Sequence, residues 1–498
     1  MVTDSKQNTL LGLVVVTVIS MVIALILSFV GITKVLLPPK LKYGMVLDAG
    51  STHTALFLYQ WPTDKENDTG VVSQRHTCLV TGPGISSYAN DPELAGESLR
   101  KCIDEAMDLI PSQHHLETPA YLGATAGMRL LRRQDPAAAD RILEEVSKTL
   151  QEYRLNFRGA RILTGVEEGA YGWVTINYLL HSFMTYSFKG VWVRPAKTDL
   201  FGALDLGGAS TQISFIPNVD MEDKRDEVKF RLYGVNYTIY THSYLCYGLR
   251  QALKLLHLQA VVGKDLRNQV VNPCYPAGYQ EVVPVTSLYD SPCTEHLAPS
   301  HDKPIPGQNI TFVGSGDAKN CHILFTQIFD FSSCGKKPMC TFDGVYQPPV
   351  TGKYFAFAAF YYMFDFLNLT SGQSLQDVHD KIKEFCSTPW IELKRSYPHE
   401  AEERLRDYCG GSNYVLTLLQ DVYEFTENQW HNIFFQKQAS NTDIGWTLGY
   451  MLNLTNMIPA EAALRVHGQD FNIWIAAICF IALALAFGVA MLWIYMRD

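Results

Sequence analysis

The sequence predicts an α/β protein built around one strand–turn–strand unit that occurs twice, with an apolar span at each end. Three observations carry this prediction. First, Asp48-Ala49-Gly50-Ser51-Thr52-His53-Thr54 is echoed by Asp205-Leu206-Gly207-Gly208-Ala209-Ser210-Thr211. Second, each copy has an apolar run before it (Tyr43 to Leu47; Phe201 to Leu204) and an apolar or alternating run after it (Ala55 to Tyr59; Gln212 to Phe215). That is the pattern of strand, tight glycine turn, strand. Third, the chain has 498 residues, more than one compact domain usually holds.

The two ends account for much of the 47% hydrophobic content. Leu10 to Ile32 and Ile473 to Met496 carry no charged residue. At about 1.5 Å per residue each is roughly 34–36 Å long as a helix, enough for a bilayer core of about 30 Å. The first run exceeds the roughly 7–15 residues of a signal-peptide core, so it reads as a retained anchor. The second ends in Trp493-Ile494-Tyr495-Met496-Arg497-Asp498, an interfacial aromatic pattern with a short charged tail. Lys6 before the first span and Lys34, Lys40 and Lys42 after it do not orient the chain well. Asn-x-Thr sequons do: Asn67, Asn236, Asn309, Asn368 and Asn453 all lie between the spans. Ten of the eleven cysteines lie there too, with no Cys-x-x-Cys pair, which fits disulfides rather than metal; Cys479 falls within the second span. The expectation is a cytoplasmic segment 1–9, spans at 10–32 and 473–496, a cytoplasmic tail 497–498, and an extracellular region of about 440 residues between the spans.

Within that region, residues 33–42 with Pro38-Pro39 read as a short stiff linker. Pro92 to Ile110 reads as a helix with Leu94, Leu99, Ile103 and Met107 apolar, and Gln134 to Tyr153 as another. Tyr121 to Arg129 is a strand ending in small residues. Thr125 could orient a water or phosphate there, and plain strand-to-helix packing reads equally well. Arg161 to Leu163 is a strand. Gly165-Val166-Glu167-Glu168-Gly169 then opens a helix, its acids suited either to general-base work or simply to the helix dipole. From 246 to 350 the chain is rich in cysteine, proline and loops, Gly314-Ser315-Gly316-Asp317 among them. Tyr354 to Leu367 is aromatic enough to be core, with room for one ring to stack on a base. Trp446 to Asn453 reads as a helix start beside a site or as core.

The chemistry of the paired turns is specific. Glycine lets backbone N–H groups approach an anion closely, and Ser51, Ser210 and Thr211 add hydroxyls. Asp48 and Asp205 cannot bind phosphate directly, but they can hold a divalent cation or water beside it. One copy alone would read as an ordinary hairpin turn; two facing copies make a phosphate clamp. A net charge of −9 argues against a nucleic-acid polymer as partner. There is no Walker A motif, no His-Glu-x-x-His and no Gly-x-Ser-x-Gly.

Taken in order, Asp48–Thr54, Gly123–Arg129, Gly165–Tyr178, Asp205–Thr211 and Trp446–Asn453 resemble the five blocks of the membrane-bound ectonucleoside triphosphate diphosphohydrolases, or ecto-apyrases, with the type eight branch the most similar in pattern. The resemblance covers nearly the whole chain. It implies a two-lobed actin/Hsp70/sugar-kinase-like fold, a duplicated ribonuclease H-like ectodomain. Its membrane-proximal lobe would comprise 39–164 plus 437–471 and its second lobe 165–436. It implies Ca²⁺- or Mg²⁺-dependent hydrolysis of extracellular nucleoside tri- and diphosphates at the plasma membrane. In that reading Glu168 is the base, and Thr125 and Gln212 place the water. Ser51, Thr52, His53, Gly208, Ala209 and Ser210 hold phosphates. Asp48 and Asp205 hold the metal through water, Trp446 walls the site, and Tyr362 and Arg404 sandwich the base. It also implies bridges Cys78–Cys102, Cys246–Cys293, Cys274–Cys321, Cys334–Cys340 and Cys386–Cys409. One departure stands out: relatives often carry arginine directly after Cys-aromatic-Gly, whereas Leu249 follows Cys246-Tyr247-Gly248 here and Arg250 comes one later. A same-fold kinase and a non-catalytic nucleotide receptor are the competing readings. Packing of the two spans could also support a homo-oligomer.

Overall fold

The computed structural model describes residues 2–30, 33–36, 40–186, 191–193, 200–264, 269–298, 307–461 and 465–496. Pro38-Pro39, the last two residues expected for the first span and the 497–498 tail lie outside them. The chain divides into two compact units, Met1–Lys40 with Ala460–Asp498, and Leu41–Pro459.

The terminal unit holds helices Val2–Phe29 and Phe471–Met496, which pack on each other and carry stretches long and apolar enough to cross a membrane. Thr33–Leu36 pairs antiparallel with Arg465–Gly468. The segment read as a linker is therefore in part a strand, because its backbone finds a partner ladder. Residues 460–461 and 465–471, expected with the first lobe, group with the terminal helices for the same reason.

The larger unit contains two sheets of matching plan. In the first, β1 (Leu41–Ala49) turns at 50–53 into β2 (Thr54–Pro62), followed by β3 (Ser73–Leu79), β4 (Pro119–Ala124) and β5 (Asn156–Ile162). The order is β3-β2-β1-β4-β5, with β1, β4 and β5 parallel. In the second, β6 (Gly202–Leu206) turns at 207–209 into β7 (Ser210–Phe215), followed by β8 (Glu227–Leu232), β9 (Val235–Leu245), β10 (Tyr354–Ala358) and β11 (Ile433–Phe435). The order is β8-β9-β7-β6-β10-β11, with β6, β10 and β11 parallel. Removing β8 leaves the same five-strand plan twice.

Each sheet buries one face in its own core. The first packs Met45, Leu47, Leu56 and Leu122 against helices Pro92–Leu109 and Pro136–Gln151. The second packs Leu204, Ile213, Tyr354 and Ala356 against a larger set that includes Leu249–Val261 and Glu402–Thr417. The expected aromatic stretch is split between β10 and helix Ala359–Phe366, with Phe360 and Phe364 in that core. A third core joins the two sheets through helices Gly165–Leu179 and Trp446–Thr455. These two helices touch closely, since Gly449 N–H donates to Thr175 Oγ1 (2.9 Å) and any Cβ on Gly449 would run into the Tyr171 carbonyl. Tyr59 of β2 and Thr447 share a hydroxyl hydrogen bond of 2.8 Å. The strand ends that carry both turns are thus fixed to a common central pair of helices.

Five disulfides are present: Cys78–Cys102, Cys246–Cys293, Cys274–Cys321, Cys334–Cys340 and Cys386–Cys409. Asn67, Asn236, Asn309 and Asn368 are exposed. Asn453 is half-buried within a helix beside Tyr171, the least accessible of the five sequon positions.

Candidate active site

Both glycine turns sit where an antiparallel hairpin meets a parallel neighbour. Ala49 lies opposite Ala124 at the end of β4, and Leu206 opposite Ala358 at the end of β10. The turns face each other: a Cβ on Gly208 would stand 2.7 Å from Ser51 Oγ and 2.8 Å from Thr52 Cγ2. Glycine is required there because a side chain would fill the space between the turns. Thr52 Oγ1 and His53 Nδ1 share a 2.9 Å hydrogen bond, and desolvation holds the imidazole below its ordinary range. Behind the second turn, Gly248 packs against the Ala209 and Ser210 amides, and Leu249 N–H donates to the Gly207 carbonyl (2.9 Å).

The acid pair separates into two roles. Thr164 and Glu167 form a reciprocal capping box at the start of helix Gly165–Leu179, and Glu167 also binds Arg161 at 2.9 Å. The helix-end reading therefore fits Glu167. Glu168, one residue on, is buried, and its Oε2 accepts from Arg129 Nη2 at 2.8 Å and from Gln212 Nε2 at 3.2 Å. Arg129 Nη2 also donates to Ser210 Oγ (3.0 Å), and Nη1 to the Leu163 carbonyl (3.2 Å). Gln212 Nε2 lies 2.7 Å from Ser210 Oγ and 3.0 Å from Ser243 Oγ. Glu168, Ser210 beside the second turn, Arg129 and Gln212 are thus one hydrogen-bonded group.

Asp48 and Asp205 share this neighbourhood. Burial pushes Asp48 up to about 7; the Trp446 indole opposes the shift, and the Glu168 charge adds to it. Asp205 is raised well above the ordinary carboxylate range, first by burial, then by Glu168 and Asp48, with Arg129 opposing. Asp48 Oδ1 is buried without a hydrogen-bond partner. Three acids crowd together with one arginine between them, so the site is short of positive charge.

Thr125 precedes helix Ala126–Gln134, buried, with its N–H on the Ala49 carbonyl (3.1 Å). Trp446 opens its helix and is 3% exposed, and a Cβ on Gly123 would run into its ring. The structure therefore brings Asp48, Ser51, Thr52, Glu168, Gly208, Ser210 and Gln212 together, with Thr125 and Trp446 at the adjoining strand ends. Tyr362 and Arg404 stand on two other helices that pack together. Tyr362 is 49% exposed beside Tyr361, and Arg404 pairs with Glu400 at 2.7 Å.

The GDA1/CD39 (nucleoside phosphatase) family matches residues 34–467. The chain belongs to that family. It is accordingly an enzyme, a nucleoside phosphatase of the apyrase kind. It is 51% identical to "Ectonucleoside triphosphate diphosphohydrolase 8" of Gallus gallus over 98% of this chain and 97% of that protein. It is 48% identical to the protein of the same name from Homo sapiens over 96% of each. These bear out the resemblance to the ecto-apyrases and to their type eight branch. A solved structure of nucleoside triphosphate hydrolases from Neospora caninum matches with a TM-score of 0.59 at 15% identity, covering 88% of this chain and 95% of that one. It shows the shared two-lobed actin/Hsp70-like fold.

Two residues hydrogen-bonded into this cluster are given no role by sequence reasoning. Arg129 closes the Gly123–Arg129 block, one turn beyond Thr125, and nothing in the pattern assigns it a role. Ser243 lies inside a strand with no motif around it; only its register opposite Gln212 brings it to the site.

Proposed function

We propose that this chain is an outward-facing apyrase. It removes terminal phosphates from extracellular ATP, ADP, UTP and UDP to leave monophosphates, with the catalytic region outside the plasma membrane. The observation that carries the chemistry is Glu168, a buried carboxylate held by Arg129 and Gln212, both of which also bond Ser210 beside the second of two facing glycine turns. The backbone amides of the turns, with Ser51, Thr52, His53, Gly208, Ala209 and Ser210, hold the phosphates. Thr125 and Gln212 orient a water in line with the terminal phosphorus. Glu168 takes its proton as the new P–O bond forms and the bond from the terminal phosphorus to the bridging oxygen breaks, the electron pair leaving with the shortened nucleotide. Arg129 keeps the carboxylate aligned and supplies a positive charge beside Ser210.

A divalent cation fits the donor set. Asp48 Oδ1 is an orphaned buried acceptor, and the arginine nearby is already committed to Glu168. Among the described residues no group of three or more His, Cys, Asp or Glu could ligate a metal directly. Asp48 and Asp205 would hold Ca²⁺ or Mg²⁺ through water, and the ion would neutralise charge on the phosphates. Tyr362 and Arg404 are assigned to the nucleobase and Trp446 to the wall of the site. Disulfides and exposed sequons between two apolar helices support an extracellular placement.

The test is phosphate release by intact cells expressing the chain, given external ATP and then ADP, with Ca²⁺ or Mg²⁺ and then with EDTA. Metal-dependent release from both nucleotides without an added acceptor supports the reading. Release only with an added acceptor turns it towards the same-fold kinase. No release, with the protein shown at the surface, leaves a nucleotide receptor.

A further inference from the structure

We infer that Ser243 is a positioning residue for hydrolysis: its hydroxyl fixes the orientation of the Gln212 carboxamide and so decides which amide atom faces the attacking water. The inference rests on the reading of Glu168 as base. Gln212 is 1% exposed on β7, directly opposite Ser243 on β9. Three oxygens surround its Nε2: Ser210 Oγ at 2.7 Å, Ser243 Oγ at 3.0 Å and Glu168 Oε2 at 3.2 Å. An amide nitrogen has two hydrogens and no acceptor capacity, while an ionised carboxylate only accepts. Turning the amide over would set its carbonyl oxygen 3.2 Å from Glu168 Oε2, two acceptors face to face. The nitrogen therefore points inwards, and Oε1 is left buried with no partner.

A buried acceptor without a donor is costly, and such groups concentrate where a ligand completes them. The donor that completes this one is the water whose other proton goes to Glu168. Gln212 then spans base and nucleophile, one end on each. Ser243 contributes the contact that Ser210 cannot be relied on to keep, because Ser210 also receives Arg129 and faces the phosphates. Ser243 is held in turn at the start of the base helix, where a Cβ on Gly165 would run into its side chain. The serine thus sets the glutamine and abuts the helix that carries the base.

The test is a double-mutant cycle on the full-length protein in membranes, with kcat and KM for ATP normalised to surface protein. Ser243→Ala is expected to lower kcat about tenfold with KM within about twofold, since nucleotide contacts are untouched. On a Gln212→Leu background Ser243→Ala is expected to cost nothing further. Ser243→Cys, close in volume and a poor acceptor, is expected to lose as much as Ser243→Ala, and Ser243→Thr to recover most of the rate. Independent, multiplying losses in the double mutant would overturn the inference. So would a defect confined to KM, or a Ser243→Cys rate equal to wild type. An active wild type with an inactive Glu168→Gln and a silent Ser243→Ala removes this inference alone; an active Glu168→Gln removes the reading of the base and this inference with it.

Discussion

The turn at 50–53 and the turn at 207–209 leave equivalent strands of a duplicated sheet, yet the side chains in and beside them are held in opposite ways. Ser210 is 1% exposed and is gripped by Arg129 and Gln212, both of which also touch Glu168. Ser51 and Thr52 are half-buried; the Thr52 hydroxyl bonds to its neighbour His53, and both side chains face Gly208 across the gap. Asp205 has Arg129 nearby to temper its charge, while Asp48 has an indole and an empty hydrogen-bond valence. The backbone plan is repeated and the side-chain wiring is not. One copy is hydrogen-bonded through Arg129 and Gln212 to Glu168, the base in the proposed mechanism, and the other is not part of that group. In the proposed mechanism this division would let one turn hold the reacting geometry while the other admits the nucleotide.

The largest expected effect lies in the wired half. Glu168→Gln keeps the shape of the side chain and abolishes proton acceptance, so kcat should fall by roughly 10²–10⁴. Binding of a non-hydrolysable nucleotide, measured by calorimetry, should persist. A Glu168→Gln enzyme with wild-type turnover would place the base elsewhere.

Arg129→Ala comes next, with an expected loss of about 10² in kcat from removing a preorganised charge at the reacting centre. Arg129→Lys should recover only part of it, since an ammonium cannot reproduce the planar fork that spans Glu168, Ser210 and the Leu163 carbonyl. Equal rates for Lys and Ala would mean that the fork, not the charge, carries the effect.

Serine truncation compares the two turns directly. Ser210→Ala should cost about tenfold in kcat, because a hydrogen bond to a charged group is worth about 1.5 kcal/mol or more. Ser51→Ala should raise KM about two- to threefold and leave kcat nearly unchanged. The same loss at both positions would show that the wiring around Ser210 has no catalytic weight.

How much of this was legible in the chain follows the same division. The turns were readable because glycine between two apolar runs has one local meaning. Both terminal helices, long and apolar enough to cross a membrane, were readable because each is an uncharged run of more than twenty residues. Glu168 could not be told from Glu167 on residue pattern alone, since both acids sit in the first turn of one helix. The distinction lies in Arg161 and Arg129, which arrive from different elements. Arg129 and Ser243 were invisible for a related reason: strand register and helix placement, not spacing, bring them to Glu168 and Gln212. The Thr33–Leu36 strand was missed because its partner lies more than four hundred residues away.

The smallest effect concerns stability and the less wired aspartate. Asp48 is raised from 3.8 to about 7 in the folded protein. The folded state therefore holds this proton more tightly than the unfolded chain does. Stability from this group is fully present below about pH 4 and is lost as the pH rises to about 7, where the buried carboxylate must ionise beside Glu168. Asp205 shifts in the same direction. In EDTA, thermal unfolding should thus occur at lower temperature at pH 7.5 than at pH 5.5, and Ca²⁺ should restore more at the higher pH, where the carboxylates are ionised. Asp48→Asn removes the titration: in EDTA at pH 7.5 its Tm should rise by about 2–4 °C, and its gain on adding Ca²⁺ should shrink. Arg129→Ala should deepen the loss of stability with pH through Asp205, whose ionised form Arg129 stabilises, while leaving the contribution of Asp48 nearly as it was. A lower Tm for Asp48→Asn in EDTA at pH 7.5 would mean that this carboxylate is satisfied without a cation, and the contrast between the two aspartates would then have to be sought in their phosphate contacts instead.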